Sequence, residues 1–425
     1  MTPERTAPRR NPLPRPSAAP YADFVPLINK TRTHNVVPGR ELVALRVSIT
    51  AFFALDGFVF SGWVVRIPDI KHQTHASAGA LGLALLGVSA GAVLTMMLTG
   101  RLCRRYGSHP VTVAWMVVLA LSVALPPLTH SAVALGAVLL VFGAAYGGVN
   151  VAFNSAAVDL VAAVRRPIMP SFHAAFSLGG MVGAGVGGLA AGFLSPTRHL
   201  LGITVIGLLV TAVAGRALLR HDPPPPPADD QEPARAGAGR TPRAGGRWLV
   251  VGFGLVALCD AYGEGAMADW GALHLKQDLT ASAGTAAAGY ALFALAMTAG
   301  RLSGTALLGR LGRARTVIAG GSVAAVGMLL GSLAPSVWVA LAGFAVTGLG
   351  LANIFPVAIE RAGALSGASG VAVASTLGYG GMLLGPPAIG FMADWFSLPT
   401  ALTSVAVLAA VAALVGVATR RGLNG

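Results

Sequence analysis

Apolar residues along this chain run in long unbroken blocks and do not alternate with polar ones. A hydrocarbon core about 30 Å thick needs roughly 20 helical residues to cross it. Blocks of that length recur twelve times, near 42–65, 79–99, 110–127, 132–158, 169–193, 199–219, 248–270, 284–306, 316–334, 337–359, 371–393 and 399–419. Continuous runs exclude a closed β-barrel, whose strands alternate. The pattern predicts an all-α integral membrane protein with twelve transmembrane helices. Two polar stretches interrupt it. Residues 1–41 are polar, contain prolines and arginines, and lack the apolar core and cleavage site of a secretory signal, so they predict a disordered tail. Residues 220–247 carry Pro223 to Pro227 and then acidic and arginine-rich sequence, a linker composition. That divides the spans into a six-helix bundle over 42–219 and a second over 248–421.

The two sets of six are related. Trp63 and Trp270 end spans 1 and 7, and Gly107 and Gly312 fall in the loops after spans 2 and 8. Asn150 and Asn353 follow Gly-rich runs in spans 4 and 10, and Gly-Gly-Met recurs at Gly180 and Gly381. These pairs keep their order, and their spacing drifts by only a few residues. A parallel repeat of six spans is the arrangement of two bundles that rock about a central site.

Composition agrees and adds orientation. Only 11% of residues are charged, against about 25% in ordinary soluble proteins, too few to cover a soluble surface. The net charge of +14 raises nucleic-acid binding, but the cations lie between apolar blocks and not on one soluble face, so no nucleic-acid partner is expected. Of the 30 Lys and Arg residues, only Arg66, Lys71, Arg198 and Lys276 fall in loops on one side, and Arg46 lies inside span 1. The positive-inside rule puts the basic loops and both termini in the cytoplasm. Cys103 and Cys259 cannot form a disulfide framework and read as structural.

The loop GRLCRRYG at 100–107 resembles the signature G-x-x-x-D-R-x-G-R-K of the major facilitator superfamily. Gly100, Leu102, Arg105 and Gly107 fit; Arg104 stands where the signature has aspartate. The copy TALLGRLG at 305–312 keeps Leu307, Arg310 and Gly312 and also lacks the acid. A tight glycine turn bearing cations can grip acceptors on neighbouring helix ends, which makes this loop a candidate cytoplasmic gate. The alternative is that its arginines only set topology. Asp159 and Arg166 follow at the exit of span 4 with the D-x6-R spacing of some sugar-porter loops. The stretches GFVFSGWVVRIPDIK, RPIMPSFHAAFSLGG and GEGAMADWGALHL are similar to a branch of uncharacterised bacterial inner-membrane permeases, itself distantly similar to fucose permeases. That resemblance implies a bacterial inner-membrane transporter working by alternating access, with the matching glutamate at Glu264. It also implies a bundle interface of spans 2, 5, 8 and 11. The glycine faces Gly179, Gly183, Gly187, Gly188, Gly192, Gly381 and Gly385 fit a sliding contact there, and Pro386 and Pro387 are expected to break span 11.

Charges inside the spans carry the most information, because an Asp or Arg at mid-bilayer costs about 2.5–3.5 kcal/mol on insertion scales. Asp56 lies near the middle of span 1, Asp260 near the middle of span 7, and Asp269 near its outer end. Asp260 and Glu264 share one helix face; two carboxylates that close repel, which suits one of them to carry a proton. For each acid the alternative is a structural hydrogen bond to a neighbouring helix. Asn150 and Asn154 share a face of span 4, and Asn154 and His173 come to similar depth. His173 can carry a proton or simply tie two helices together, and Asn353 is expected to line the cavity with Asn150. Arg46 and Arg301 read as snorkelling to the cytoplasmic headgroups. No phosphate-binding loop or metal-ligand set appears, so neither ATP drive nor a cofactor or metal is expected. These features predict a proton-coupled secondary transporter for a small polar solute, functional as a monomer in the lipid bilayer. Efflux of drug-like compounds is the alternative within transport; a transporter-fold sensor or a membrane enzyme is the alternative in kind. Outer loops of this shortness argue against the enzyme.

Overall fold

Serines start the helices at one end of the molecule. Ser131, Ser195, Ser282 and Ser397 each accept a hydrogen bond from the backbone N–H three residues on, at Ala134, Arg198, Thr285 and Thr400. These caps satisfy donors that the first helical turn leaves unpaired. At the opposite, arginine-rich end the chain reverses through positive φ: Gly107 at 89°, Arg165 at 54°, Gly312 at 78° and Gly367 at 55°. The computed structural model describes residues 39–76, 78–191, 193–221 and 244–424. Residues 1–38 of the expected tail, most of the expected linker and Gly192 lie outside them.

The described residues contain helices and no strand. In the first half these are α1 (Gly39–Val64), α2 (Ile67–Gln73), α3 (Ala78–Tyr106), α4 (Ser108–Ser122), α5 (Ala132–Val164), α6 (Met169–Ala191) and α7 (Pro196–Leu219). The second half holds α8 (Ala244–Gln277), α9 (Ala283–Leu311), α10 (Arg313–Ser332), α11 (Val337–Leu351), α12 (Ile354–Trp395), α13 (Leu398–Ala418) and α14 (Arg420–Asn424). Among the described residues, eleven apolar runs are long enough to cross a bilayer, and one of them, Val337–Trp395, has 59 residues. That run folds back on itself at Ser366–Gly367, where the backbone leaves helical geometry. A Cβ on Gly370 would collide with the carbonyl of Ala362, whereas eight residues of straight helix would hold them about 12 Å apart. It therefore supplies spans 10 and 11, and among the described residues there are twelve crossings. The hairpin ends span 10. The break expected in span 11 does not occur: α12 stays helical through Pro386 and Pro387, because two missing N–H groups remove two ladder bonds without stopping the helix.

Packing repeats between the halves. In the first, α1 packs on α6 and α7, α3 on α5, and α4 on α5 and α7. In the second, α8 packs on α12 and α13, α9 on α11, and α10 on α11 and α13. Gly179, Gly183, Gly187, Gly381 and Gly385 serve this internal packing and not the bundle interface. A Cβ on Gly179 or Gly183 would strike the backbone of Ala54 or Phe58 in α1, and Gly381 does the same against Leu258 in α8. Gly385 sits at 3.2 Å from the Tyr262 ring by the same measure. Close backbone approach through small residues is what holds helices together where lipid removes the hydrophobic effect.

Between the halves, α3 meets α12 and α6 meets α9, the pairing of spans 2 with 11 and 5 with 8 that the resemblance implies. These contacts gather toward the arginine-rich end. Arg104 donates to the Ser369 hydroxyl, a Cβ on Gly100 would sit 2.8 Å from that of Ala372, and one on Gly304 would sit 2.6 Å from Pro170. Toward the other end, Gly82 on α3 and Gly185 and Gly188 on α6 face open space.

Candidate functional site

The buried charges converge where α8, α9 and α6 approach one another. Arg301 on α9 donates from Nη2 to Oε1 of Glu264 on α8 at 2.6 Å. Its Nη1 donates to the Ser177 hydroxyl on α6 at 2.8 Å, and its Nε to the carbonyl of Ala352 at 3.4 Å. One guanidinium therefore ties together both halves and the junction of α11 and α12. The snorkelling expected of Arg301 does not occur: about 15 Å of helix separates it from the end of α9 at Leu311, beyond the reach of its side chain, and it is buried. Arg46, by contrast, is exposed.

Sequence explains why the Ala352 carbonyl is free to accept. Pro356, four residues on, has no N–H to donate to it. Asn353, at φ −112° and ψ 0°, interrupts the span there, and its side-chain amide donates to the Gly300 carbonyl at 3.0 Å. Gly300 and Arg301 thus exchange hydrogen bonds with Ala352 and Asn353. Asn353 is buried, and its bond falls next to Arg301. Asn150, its repeat partner, sits in unbroken α5, where its carbonyl accepts from the Asn154 amide at 2.8 Å.

Asp260 lies one turn from Glu264, fully buried, and neither of its oxygens has a hydrogen-bond partner. Asp56 on α1 is in the same condition. It acts electrostatically on Tyr146 of α5 and Tyr379 of α12, two rings from opposite halves that meet edge to face with centroids 6.0 Å apart. Glu264 also acts on both tyrosines and on Tyr290 of α9. Ser177 and the three tyrosines escape sequence reading, since a hydroxyl in a span is unremarkable until its partner is known. Arg301 had one available signal: the repeat places Met96 at its position in the first half, so an arginine there is an addition.

His173 does not join Asn154. Its ring meets Phe53 and Phe355 edge-on at 5.2 and 5.8 Å, and its Nε2 is buried without a partner. It lies within electrostatic reach of Arg301. In the gate loop, Gly107 and Gly312 make the turns, Arg105 lies over the Tyr106 ring at 5.2 Å, and Arg310 is exposed. Asp159 accepts from the Ser108 hydroxyl at 3.4 Å and makes no ion pair with Arg166, which is exposed. The D-x6-R spacing thus carries no contact here: Arg165 at positive φ ends α5 and the chain turns away. In the second half the corresponding contact is an ion pair, Arg313 to Glu360, at 2.7 Å from Nε.

Two halves with one packing plan thus meet toward the basic end, with buried charge where α6, α8 and α9 approach one another. The sequence model of the Major Facilitator Superfamily matches residues 47–262, and the chain belongs to that family. It is 34% identical to an uncharacterised MFS-type transporter of Yersinia pestis over 89% of this chain and 96% of that one. It is 29% identical to the membrane protein MosC of Rhizobium meliloti, over 91% and 93%. Among solved structures, the transporter FucP in its outward conformation superposes with TM-score 0.70 at 16% identity, covering 89% of this chain and 99% of that one. The proton:xylose symporter XylE superposes with TM-score 0.72 at 14% identity, covering 88% and 95%. The protein is accordingly a multi-pass membrane transporter and not an enzyme.

Proposed function

We propose that this chain is a proton-coupled secondary transporter that carries a small polar solute across the bacterial inner membrane by alternating access. The observation that supports this reading is the Arg301 guanidinium bonded to Glu264 in one half and Ser177 in the other. Protonating Glu264 removes the charge that holds Arg301, so one proton changes a contact that spans both halves. Asp56 and Asp260, buried carboxylates without hydrogen-bond partners, are further proton carriers in this reading, because a buried charge demands a partner or neutralisation. The curated relatives carry transporter names, and XylE is described as a proton symporter.

In the proposed arrangement the six-helix bundles are 42–219 and 248–421, and the tail, the 220–247 linker and the arginine-rich loops are cytoplasmic. The inter-half contacts then close the cytoplasmic side and the site opens outward. Lys276 and Arg310 are exposed on opposite ends. Lys276→Cys is expected to react with an impermeant maleimide from outside and Arg310→Cys only after permeabilisation; the reverse pattern overturns the orientation. A thermal-shift screen of the purified protein identifies the solute, and accumulation of that solute in proteoliposomes under an acid-outside gradient tests the coupling. Equal uptake with and without the gradient would contradict it.

A further inference from the structure

Arg301 is the one buried arginine placed among the mid-span acids; among the described residues the other buried arginines, Arg66 and Arg361, are engaged elsewhere. Arg66 bonds His199, Asp69 and the Leu194 carbonyl, and Arg361 bonds the Gly422 carbonyl at the arginine-rich end. Two of the three bonded nitrogens of Arg301 are fixed by neutral protein groups, Ser177 and Ala352. Its remaining bond is to a carboxylate, and that carboxylate is the most accessible member of the group: Glu264 is 26% exposed, Arg301 7%. The guanidinium is therefore a rigid, charged socket whose open side is filled by a carboxylate that can leave.

We propose that the solute is an organic anion whose own carboxylate replaces that of Glu264 on Nη2 of Arg301 when Glu264 takes up a proton. This rests on the transport reading above and narrows its substrate to carboxylates. The charge balance carries it. When Glu264 is protonated, Arg301 keeps its bonds to Ser177 and Ala352 and loses its counter-charge, and an uncompensated buried cation is strongly unfavourable. A neutral sugar does not repair that; a monoanion does, and planar carboxylate is the partner guanidinium fits best. The proton sits on Glu264, the anion on Arg301, and the loaded site has the same net charge as the empty one. The titratable groups facing Glu264 are Asp260 on its own helix, Arg301 and Tyr290 on α9, Tyr379 on α12 and Tyr146 on α5. Asp260 interacts with Arg301 only through space and has no donor to its oxygens, so the hydrogen-bonded counter-charge of Arg301 is Glu264.

The test uses full-length protein in detergent with acetate, D-glucuronate and D-glucose as probes, read by thermal shift and by proton uptake. For the wild type, carboxylate affinity is expected to rise about tenfold for each unit of acidification while Glu264 is ionised, by proton–ligand linkage. Sodium glucuronate added to weakly buffered protein should draw one proton from solution per anion bound. Glu264→Gln should bind both carboxylates with the same affinity at pH 6 and pH 8. The double variant Arg301→Gln with Glu264→Gln, which leaves neither charge behind, should fold and bind neither. Glucose should shift none of them. Binding of carboxylates that is absent from Glu264→Gln, or that occurs without proton uptake by the wild type, overturns the proposal. So does stabilisation of the wild type by glucose alone; proton-driven glucose uptake lost in Glu264→Gln would then leave the transport reading standing without the anion.

Discussion

The two halves of this protein agree in packing and differ in chemistry. Gly179 and Gly183 lie on α1 as Gly381 and Gly385 lie on α8. Gly107 and Arg165 turn the first half where Gly312 and Gly367 turn the second. Charge breaks the repeat. Where the second half has Glu264 and Arg301, the first has Gly57 and buried Met96; Asp56 stands opposite Gly263. Close helix contact and tight turns are demands that each bundle meets in the same way. The proposed proton and solute site is needed once per molecule, so the Arg301–Glu264 pair stands in one half and reaches the other only through Ser177, which makes the halves unequal.

Substitutions at paired positions sharpen that contrast. The largest difference is expected between Arg301→Gln and Met96→Leu. The first leaves Glu264 without its partner and should lower unfolding stability by about 3 kcal/mol, at the low end for a broken buried pair because Glu264 is partly exposed. The second conserves volume and should cost less than about 1.5 kcal/mol. Chemical unfolding in mixed micelles measures both; equal losses would mean that Met96 and Arg301 play the same role. Gly179→Val and Gly381→Val should behave alike, each overpacking a backbone contact at about 1–3 kcal/mol. A loss confined to one of them would break the packing repeat.

Smaller effects separate the asparagines and the turns. Asn353→Ala gives up the bond to Gly300 and should cost about 1 kcal/mol, and it should also weaken whatever depends on Arg301. Asn150→Ala keeps the backbone carbonyl that Asn154 uses and should cost less than half as much. At the turns, Gly367 has open space around it, so Gly367→Ala isolates the cost of a backbone at φ 55° and ψ −146°, a region that glycine almost alone adopts, and should cost at least about 1 kcal/mol. Arg165 is left-handed at φ 54° and ψ 33°; Arg165→Gly relieves that conformation and is expected to leave stability unchanged or slightly raised, read from the same unfolding curves.

Much of the fold was legible because lipid imposes it. Span length, the positions of Trp63 and Trp270 and the repeated Gly-Gly-Met follow from crossing a bilayer twice over with one design. Which neighbour a glycine face meets was not legible: Gly179 and Gly183 mark a close approach, but nothing local says that α1 and not the other bundle makes it. In the site, the acids Asp56, Asp260 and Glu264 stood out, since charge in a span is costly whatever surrounds it. Arg301 was misread because its length allows snorkelling and its partners lie on other helices. Pro356 was the overlooked clue: it strips Ala352 of its helical donor and so prepares an acceptor for a guanidinium. His173 and Asn154 share a depth without sharing a bond, because the Phe53 ring packs against His173 and the Asn154 amide is already given to Asn150.

The role of the Arg301–Glu264 pair is tested most directly in proteoliposomes holding wild type or Glu264→Gln, with the solute that the thermal-shift screen identifies. Under an acid-outside gradient the wild type should concentrate solute inside. Glu264→Gln, folded and inserted, should exchange labelled for unlabelled solute yet accumulate none, because it can no longer bind and release the proton. Accumulation by Glu264→Gln equal to that of the wild type, with the same dependence on the gradient, would contradict coupling through this pair.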